Sequence, residues 1–219
     1  AFLLAMLAKT TAVTLPAILL LLHWYRGRPI DKRFLLKLTP FALVAAAFIP
    51  ITIITESYYS GAAGFEYNIS LPQRIIVSAH AVFFYLAKLV WPKRLVFNYE
   101  HWAPDASSAL QWGWVALLAV VIALIWKSRR RAGNGPAAAG AFFLITIFPA
   151  LAFFDIYPQR YSYVADHFQY LSSLGPIALA ASMSTKAMGL RGNNRLNMTP
   201  GHMLIFAVVF SLLWSLSWH

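Results

Sequence analysis

Long apolar runs alternate with short polar segments along this chain. Several runs approach the roughly 20 residues that a helix needs to cross the hydrocarbon core of a bilayer. Six of them cover residues 2–24, 34–55, 110–126, 137–154, 174–188 and 203–218. The pattern predicts an all-α fold, a single polytopic bundle over 1–219 with about six transmembrane helices.

One further helical segment, 72–91, has a mixed pattern. A stripe at helical spacing carries its polar side chains, which are Arg74, Ser78, Tyr85 and Lys88. Apolar residues fill the rest of the surface, and an amphipathic helix with two cations is typical of the membrane interface. The segment therefore predicts a helix that lies on the outer face of the bundle without crossing. An ordinary span whose charged ends reach the headgroups is the alternative.

The composition supports a membrane location, because 60% of the 219 residues are hydrophobic and only 11% are charged. A soluble domain has about twice that charged fraction. The net charge of +11 is also unevenly placed. Twelve of the eighteen Lys and Arg lie in three loops within 26–37, 127–131 and 186–195, and six of the seven acids lie elsewhere. Basic residues beside apolar spans indicate membrane orientation, so nucleic acid is not an expected partner.

The positive-inside rule assigns a side to each loop. An even number of crossings must separate the first two basic loops, which is why 72–91 is predicted not to cross. The cytoplasmic loops are then 26–33, 127–136 and 186–202, and the external segments are 56–109 and 155–172. An external segment as long as 56–109 exceeds what a connection needs. Such a segment suits an enzyme that takes a lipid-linked substrate from the bilayer.

Other sequence features limit the chemistry. The chain has no cysteine, its external histidines at 80, 101 and 167 are scattered, and neither a metal nor a cofactor is expected. The external acids Glu56, Glu66, Glu100 and Asp105 stand in no spacing that requires a catalytic base, and we expect most of them to be solvated. Because apolar runs stand at both ends, the chain is interpreted as an internal piece of a longer membrane protein.

Lys9 is the first candidate functional residue, because an ionisable side chain inside a membrane span is a functional hypothesis by default. It precedes the Trp24–Tyr25 pair by 15 residues, which places it roughly 22 Å away in a helix. Lys9 is therefore expected in the outer half of the membrane, facing a phosphate or a carboxylate. The alternatives are a lysine that reaches the outer headgroups and one that pairs with a structural acid.

The external segment 155–172 carries the second group of candidates, Arg160, Asp166 and His167. An arginine fork suits a phosphate, because it donates two parallel hydrogen bonds. If the stretch after Gln159 is helical, Arg160 and His167 lie two turns apart on one face. Aromatic rings between them offer flat apolar faces to a sugar or an isoprenoid chain. The alternative is an interfacial aromatic belt with one structural Arg–Asp pair.

Three stretches resemble the membrane part of tetratricopeptide-repeat O-mannosyltransferases and their bacterial relatives. They read LLAMLAKTTAVTLPAILLLLHWYRGR from residue 3, YLAKLVWPKRLVFNYEHW from residue 85, and RYSYVADHFQYLSSLGP from residue 160. The resemblance implies the later half of a bundle of the GT-C type, in a multi-pass protein of the bacterial plasma membrane. It also implies a C-terminal repeat domain outside this chain.

The same resemblance implies a glycosyltransferase. Such enzymes take a sugar from a polyprenyl phosphate carrier and attach it to a protein or glycan acceptor outside the cytoplasm. The family's catalytic acid lies in an upstream external loop, so no catalytic residue is assigned here. Lys9, Arg160, Asp166 and His167 are carried over as candidate contacts of the donor phosphate, although family members often have Arg where this chain has His167. The candidates for the interfacial and acceptor side are Arg74, Tyr85, Lys88 and Tyr163.

Three other classes stay open at the level of sequence. A transporter or lipid flippase would also use proline-broken spans and an intramembrane lysine. Another carrier-lipid enzyme, such as an O-antigen ligase or polymerase, would share the phosphate chemistry. A membrane anchor or scaffold would not need the long external segment.

Overall fold

The structure, a computed structural model, describes residues 1–58, 68–187 and 211. Within these residues every regular element is helical, which confirms the predicted all-α class. Apart from residue 211, the predicted span 203–218 lies outside the described residues, as do Glu66 and most of the basic loop 186–202. The α-helices are α1 Phe2–Ala8, α2 Leu15–Tyr25, α3 Lys32–Tyr58, α4 Leu71–Val90, α5 Ala109–Ala132, α6 Gly135–Ile147 and α7 Leu174–Ala187.

Three helices, α3, α4 and α5, are long and apolar enough to cross a membrane. Two shorter apolar helical stretches cover Thr10–Tyr25 and Gly135–Ala150. Together they form a helical bundle of the kind that the apolar runs predict. The helix α5 is longer than the predicted span, because it continues through the basic run to Ala132. Arginines in its last turn are favourable there, since they face the negative end of the helix dipole.

The predicted span 2–24 is not one helix. The helix α1 ends at Ala8, Lys9 is extended with φ −156° and ψ 119°, and a 3₁₀ helix over Thr10–Thr14 leads into α2. Two features of the sequence explain the break. The β-branched run after Lys9 lowers helix propensity, and Pro16 has no N–H to donate and its ring conflicts with the carbonyl four residues earlier. The backbone is therefore unwound at the one lysine of this span.

The core lies where α4 meets the ends of two other helices. Buried residues of α4 pack against the last turns of α6 and against the segment that follows it; this cluster comprises Ala81, Val82, Tyr85, Phe143, Ile147, Leu151 and Val164. On the other side, His80 and Phe83 of α4 contact Trp114, in the second turn of α5. The helix α4 thus packs over the ends of α5 and α6 that lie away from the basic loops.

The polar stripe of α4 faces protein. Ser78 and Tyr85 are buried, and the Tyr85 hydroxyl accepts a hydrogen bond from the Ala165 N–H at 3.2 Å. The stripe therefore anchors the segment after α6, and it does so with the side chains that make the helix amphipathic.

The helices α6 and α7 make a close contact at Gly175. A Cβ added at Gly175 would lie 2.5 Å from the Ala139 carbonyl oxygen. The backbones of α7 and α6 are therefore in close contact at Gly175. We expect Gly175→Ala to lower the free energy of unfolding by about 1–3 kcal/mol, because the helices must separate. Gly113→Ala in α5 is the control, since nothing lies within 4 Å of its Cβ position. The comparison is the unfolding midpoint in a denaturing detergent, and equal midpoints would contradict the prediction.

Candidate functional site

A cavity of about 310 Å³ opens between the break at Lys9, the second half of α3 and the segment after α6. Most of its wall is apolar, and its polar side chains come from three distant parts of the chain. These side chains are Lys9, Thr10, Thr11, Thr52, Glu56, Asp155 and His167. The fold therefore brings together two of the predicted donor-phosphate residues, Lys9 and His167.

Lys9 brings a positive charge to a cavity whose wall also carries the carboxylates of Glu56 and Asp155. Within the part of the chain that the structure describes, no carboxylate oxygen lies within 4 Å of Lys9 Nζ. The helical stretch that follows begins at Thr10, with Lys9 as its N-cap and no side chain capping it. The backbone therefore changes from an α-helix to a 3₁₀ helix at the lysine that lines the cavity.

His167 reaches the cavity from a second short helix. It lies in the 3₁₀ helix Asp166–Gln169, and its ring meets Phe168 edge to face with centroids 4.5 Å apart. Phe168 also lines the cavity. An imidazole beside apolar rings can donate a hydrogen bond to a phosphate oxygen while the rings contact a carrier chain.

Asp166 is turned to a different partner. Its carboxylate accepts hydrogen bonds from the Tyr99 hydroxyl at 2.7 and 3.0 Å. Burial, and then this hydrogen bond, raise the pKa of Tyr99 above its ordinary range, so the phenol remains a donor. Asp166 therefore ties the segment after α4 to the segment after α6, and its carboxylate does not line the cavity.

Arg160 lies at the end of the 3₁₀ helix Tyr157–Arg160 and is exposed. Its side chain does not line the cavity. The idea that Arg160 and His167 share one helix face is wrong, because non-helical backbone separates the two short helices. There the Ser162 hydroxyl bonds to the Val164 carbonyl and the Ala165 N–H bonds to Tyr85, which draws the chain out of a helix.

An ion pair that the sequence does not reveal fixes Asp155 on the cavity wall. Arg74 donates from Nη1 to Asp155 Oδ1 at 2.7 Å and from Nη2 to Asp155 Oδ2 at 3.2 Å. The same guanidinium donates to the carbonyls of Ala152 at 2.8 Å and Ile69 at 3.2 Å. Bidentate pairs of this kind combine energy with fixed geometry. Arg74 therefore positions the Asp155 carboxylate at the cavity.

Glu56 connects the end of α3 to the segment after α6 in a comparable way. Its Oε2 accepts a hydrogen bond from the Tyr157 N–H at 3.0 Å, across 101 positions of sequence. Glu56 is partly buried and lines the cavity. Sequence reasoning placed it among the solvated acids, because its partner is too distant along the chain to produce a spacing signal. Asp155 was missed for the same reason, because its partner Arg74 lies 81 positions earlier in the chain.

The acceptor-side candidates mostly serve the fold. Tyr85 has no exposed surface and Tyr163 is 5% exposed, so neither presents its ring to an acceptor. Lys88 Nζ donates to the carbonyls of Lys93 and Arg94 and lies 4.8 Å from the centroid of the Tyr99 ring. These contacts tie the segment after α4 back to the last turn of the helix, beside the Tyr99 ring.

The histidines at 80, 101 and 167 occupy separate environments. His80 is stacked between Trp102 and Trp114, with centroids 4.0 and 4.5 Å away. His101 bonds through Nε2 to the Gln159 carbonyl at 3.1 Å. Across the described residues, no group of three or more His, Asp or Glu could hold a metal ion.

Comparison with protein-family models, curated protein sequences and solved structures finds no match to this chain. The cavity around Lys9 is therefore interpreted from its own chemistry.

Proposed function

We propose that this chain is part of an integral-membrane glycosyltransferase of the GT-C type. It transfers a sugar from a polyprenyl phosphate carrier to a protein or glycan acceptor on the external side. One observation carries the proposal. Lys9, a cation without a carboxylate within 4 Å in the described residues, shares a largely apolar cavity with His167. A lipid phosphate needs both features, a positive charge for its head and apolar walls for its chain.

The proposed topology is about six crossings with α4 on the outer face, in a bacterial plasma membrane. Two arguments support it. The packing of α4 over the ends of α5 and α6 is the arrangement expected of a helix that covers the bundle. An even number of crossings between the loops 26–33 and 127–136 also keeps both basic loops on the cytoplasmic side.

The mechanism begins with a base from an upstream loop, which removes the proton of the acceptor hydroxyl. The hydroxyl oxygen forms a bond to the anomeric carbon, while the bond from that carbon to the phosphate oxygen breaks. The leaving polyprenyl phosphate keeps the electron pair. Lys9 and a hydrogen bond from His167 stabilise its developing charge. Arg160 supplies a second cation when the donor extends beyond the cavity.

The test uses the full-length protein in lipid nanodiscs with polyprenyl phosphate sugars labelled on the sugar. We expect time-dependent transfer of the label to an acceptor peptide or glycan, and no transfer from a nucleotide sugar. A useful competitor is unlabelled polyprenyl phosphate, which should inhibit because it occupies the Lys9 cavity. A panel of sugars that yields no transfer and no competitor binding would overturn the proposal.

A lipid flippase is the second candidate, and the unwound backbone at Lys9 favours it. Broken helices whose ends face the substrate are common in transporters. The two functions separate in one preparation, since a flippase moves labelled carrier between the leaflets of a proteoliposome without breaking the sugar–phosphate bond. Movement of intact carrier without transfer would select the flippase.

A further inference from the structure

A second cavity, of about 520 Å³, lies at the opposite end of the bundle from Lys9. It is a groove between the second half of α2, the last turns of α5 before the basic run and the first half of α6. Aliphatic side chains form most of its wall, among them Leu20, Leu21, Ile122, Ile125, Leu144 and Ile145. We call it the Trp24–Trp126 groove, after the two rings at its end.

The two tryptophans close the groove on the side of the basic loops. Trp24 and Trp126 are stacked with centroids 6.2 Å apart and planes at 9°. The guanidinium carbon of Arg129 lies 3.1 Å from the Trp126 centroid and 5.8 Å from the Trp24 centroid. Arg129 Nε also donates to the Trp126 carbonyl at 3.1 Å. The cation is therefore held in place at the mouth of an apolar groove.

The surroundings of this mouth are strongly basic. Arg129 is followed by Arg130 and Arg131 in the last turn of α5, and Arg26 follows directly on α2. The nearby acid in sequence, Asp31, accepts the Phe34 N–H at 2.8 Å and starts α3. A negatively charged headgroup is favoured here, because basic residues near a membrane surface attract anionic lipids.

We propose that the Trp24–Trp126 groove binds an anionic phospholipid of the leaflet on the side of the basic loops. One acyl chain fills the groove between α2 and α5, and the headgroup phosphate accepts hydrogen bonds from Arg129. Among the described residues, only Nε of this guanidinium has a hydrogen-bond partner. Its Nη groups can therefore donate to a phosphate while its face rests on Trp126. This binding site is separate from the Lys9 cavity and does not depend on the transfer reaction.

The experiment measures lipid binding to the purified full chain by native mass spectrometry. The probes are phosphatidylglycerol and phosphatidylcholine with identical acyl chains. We expect the wild type to retain phosphatidylglycerol preferentially. Arg129→Gln should weaken phosphatidylglycerol binding by about five- to tenfold and phosphatidylcholine binding less, because the choline cation offsets the charge of its phosphate. Equal retention of both lipids by the wild type would overturn the proposal.

Two further variants locate the site. Arg131→Gln removes the same charge about 200° around α5 from Arg129, and it should leave the lipid preference intact. An equal loss in both variants would show unspecific attraction to a basic surface and overturn the proposal. Gly140→Leu should abolish retention, because a Cβ there lies 3.6 Å from Ile125 Cδ1 and the side chain enters the groove. If that variant does not fold, the two arginine variants still decide the question.

Discussion

Replacing Lys9 with methionine is expected to lower the rate of sugar transfer by about 10²–10³-fold in the full-length protein. The phosphate oxygen gains charge as the sugar leaves, and a fixed donor beside that oxygen is worth most in the transition state. Methionine keeps the length and apolar stem of the side chain. The loss should therefore appear mainly in kcat, with a smaller rise in KM for the carrier.

Three variants make the Lys9 result specific. Lys9→Arg retains the charge and should keep a substantial part of the activity. Lys37→Met changes the same residue type on α3 outside the cavity and should leave kcat unchanged. Arg160→Ala should lower transfer by only about tenfold, because in the proposed mechanism Arg160 contacts the donor outside the cavity. A Lys9→Met protein with wild-type kcat would remove Lys9 from the mechanism.

The long helices could be predicted from the sequence, because a helix that faces lipid needs a continuous run of apolar residues. The runs at 34–55 and 110–126 correspond to α3 and α5, although both helices extend further into their charged ends. The break at Lys9 was missed, because the apolar run continues through it unchanged. Only the β-branched residues and Pro16 mark it, and hydropathy does not register them.

The site was partly predictable for a related reason. Lys9 and His167 stand out as charged or polar residues in apolar or aromatic surroundings, and the fold does place them on one cavity. Their neighbours Glu56 and Asp155 owe their positions to partners 101 and 81 residues away. No spacing rule reaches so far along a chain. Tyr85 shows the opposite error. It is predicted to face an acceptor because it lies on the polar stripe of an amphipathic helix, but its hydroxyl accepts a buried hydrogen bond from the Ala165 N–H.

Replacing Arg74 with alanine is expected to lower the free energy of unfolding by about 2–3 kcal/mol. The change removes the bidentate bond to Asp155 and the bonds to the Ala152 and Ile69 carbonyls. Hydrogen bonds to a charged group are each worth about 1.5–3 kcal/mol, and partial exposure of the pair reduces the total. The side chains of Arg74 and Asp155 are 16% and 35% exposed. Unfolding in a denaturing detergent provides the measurement.

Matched variants distinguish the energy of the ion pair from the effect of removing a large side chain. Arg130→Ala removes an exposed arginine from the last turn of α5 and should change stability by less than about 0.5 kcal/mol. Asp155→Asn should cost less than Arg74→Ala, since the guanidinium keeps its two carbonyl partners. The double variant should then show coupling of about 1–2 kcal/mol between the two sites. Strictly additive effects would contradict an energetically coupled pair.

The Arg74 variants also show whether Arg74 affects transfer through the stability of the protein or through the charge of the Lys9 cavity. Arg74→Ala leaves the Asp155 carboxylate on the cavity wall without its partner, where it repels a bound phosphate. Transfer should therefore fall in Arg74→Ala, and adding Asp155→Asn should restore part of it although the protein remains destabilised. Recovery of activity without recovery of stability would identify Arg74 as a positioning residue that acts through Asp155. If activity follows stability in all three variants, Arg74 acts on the fold alone.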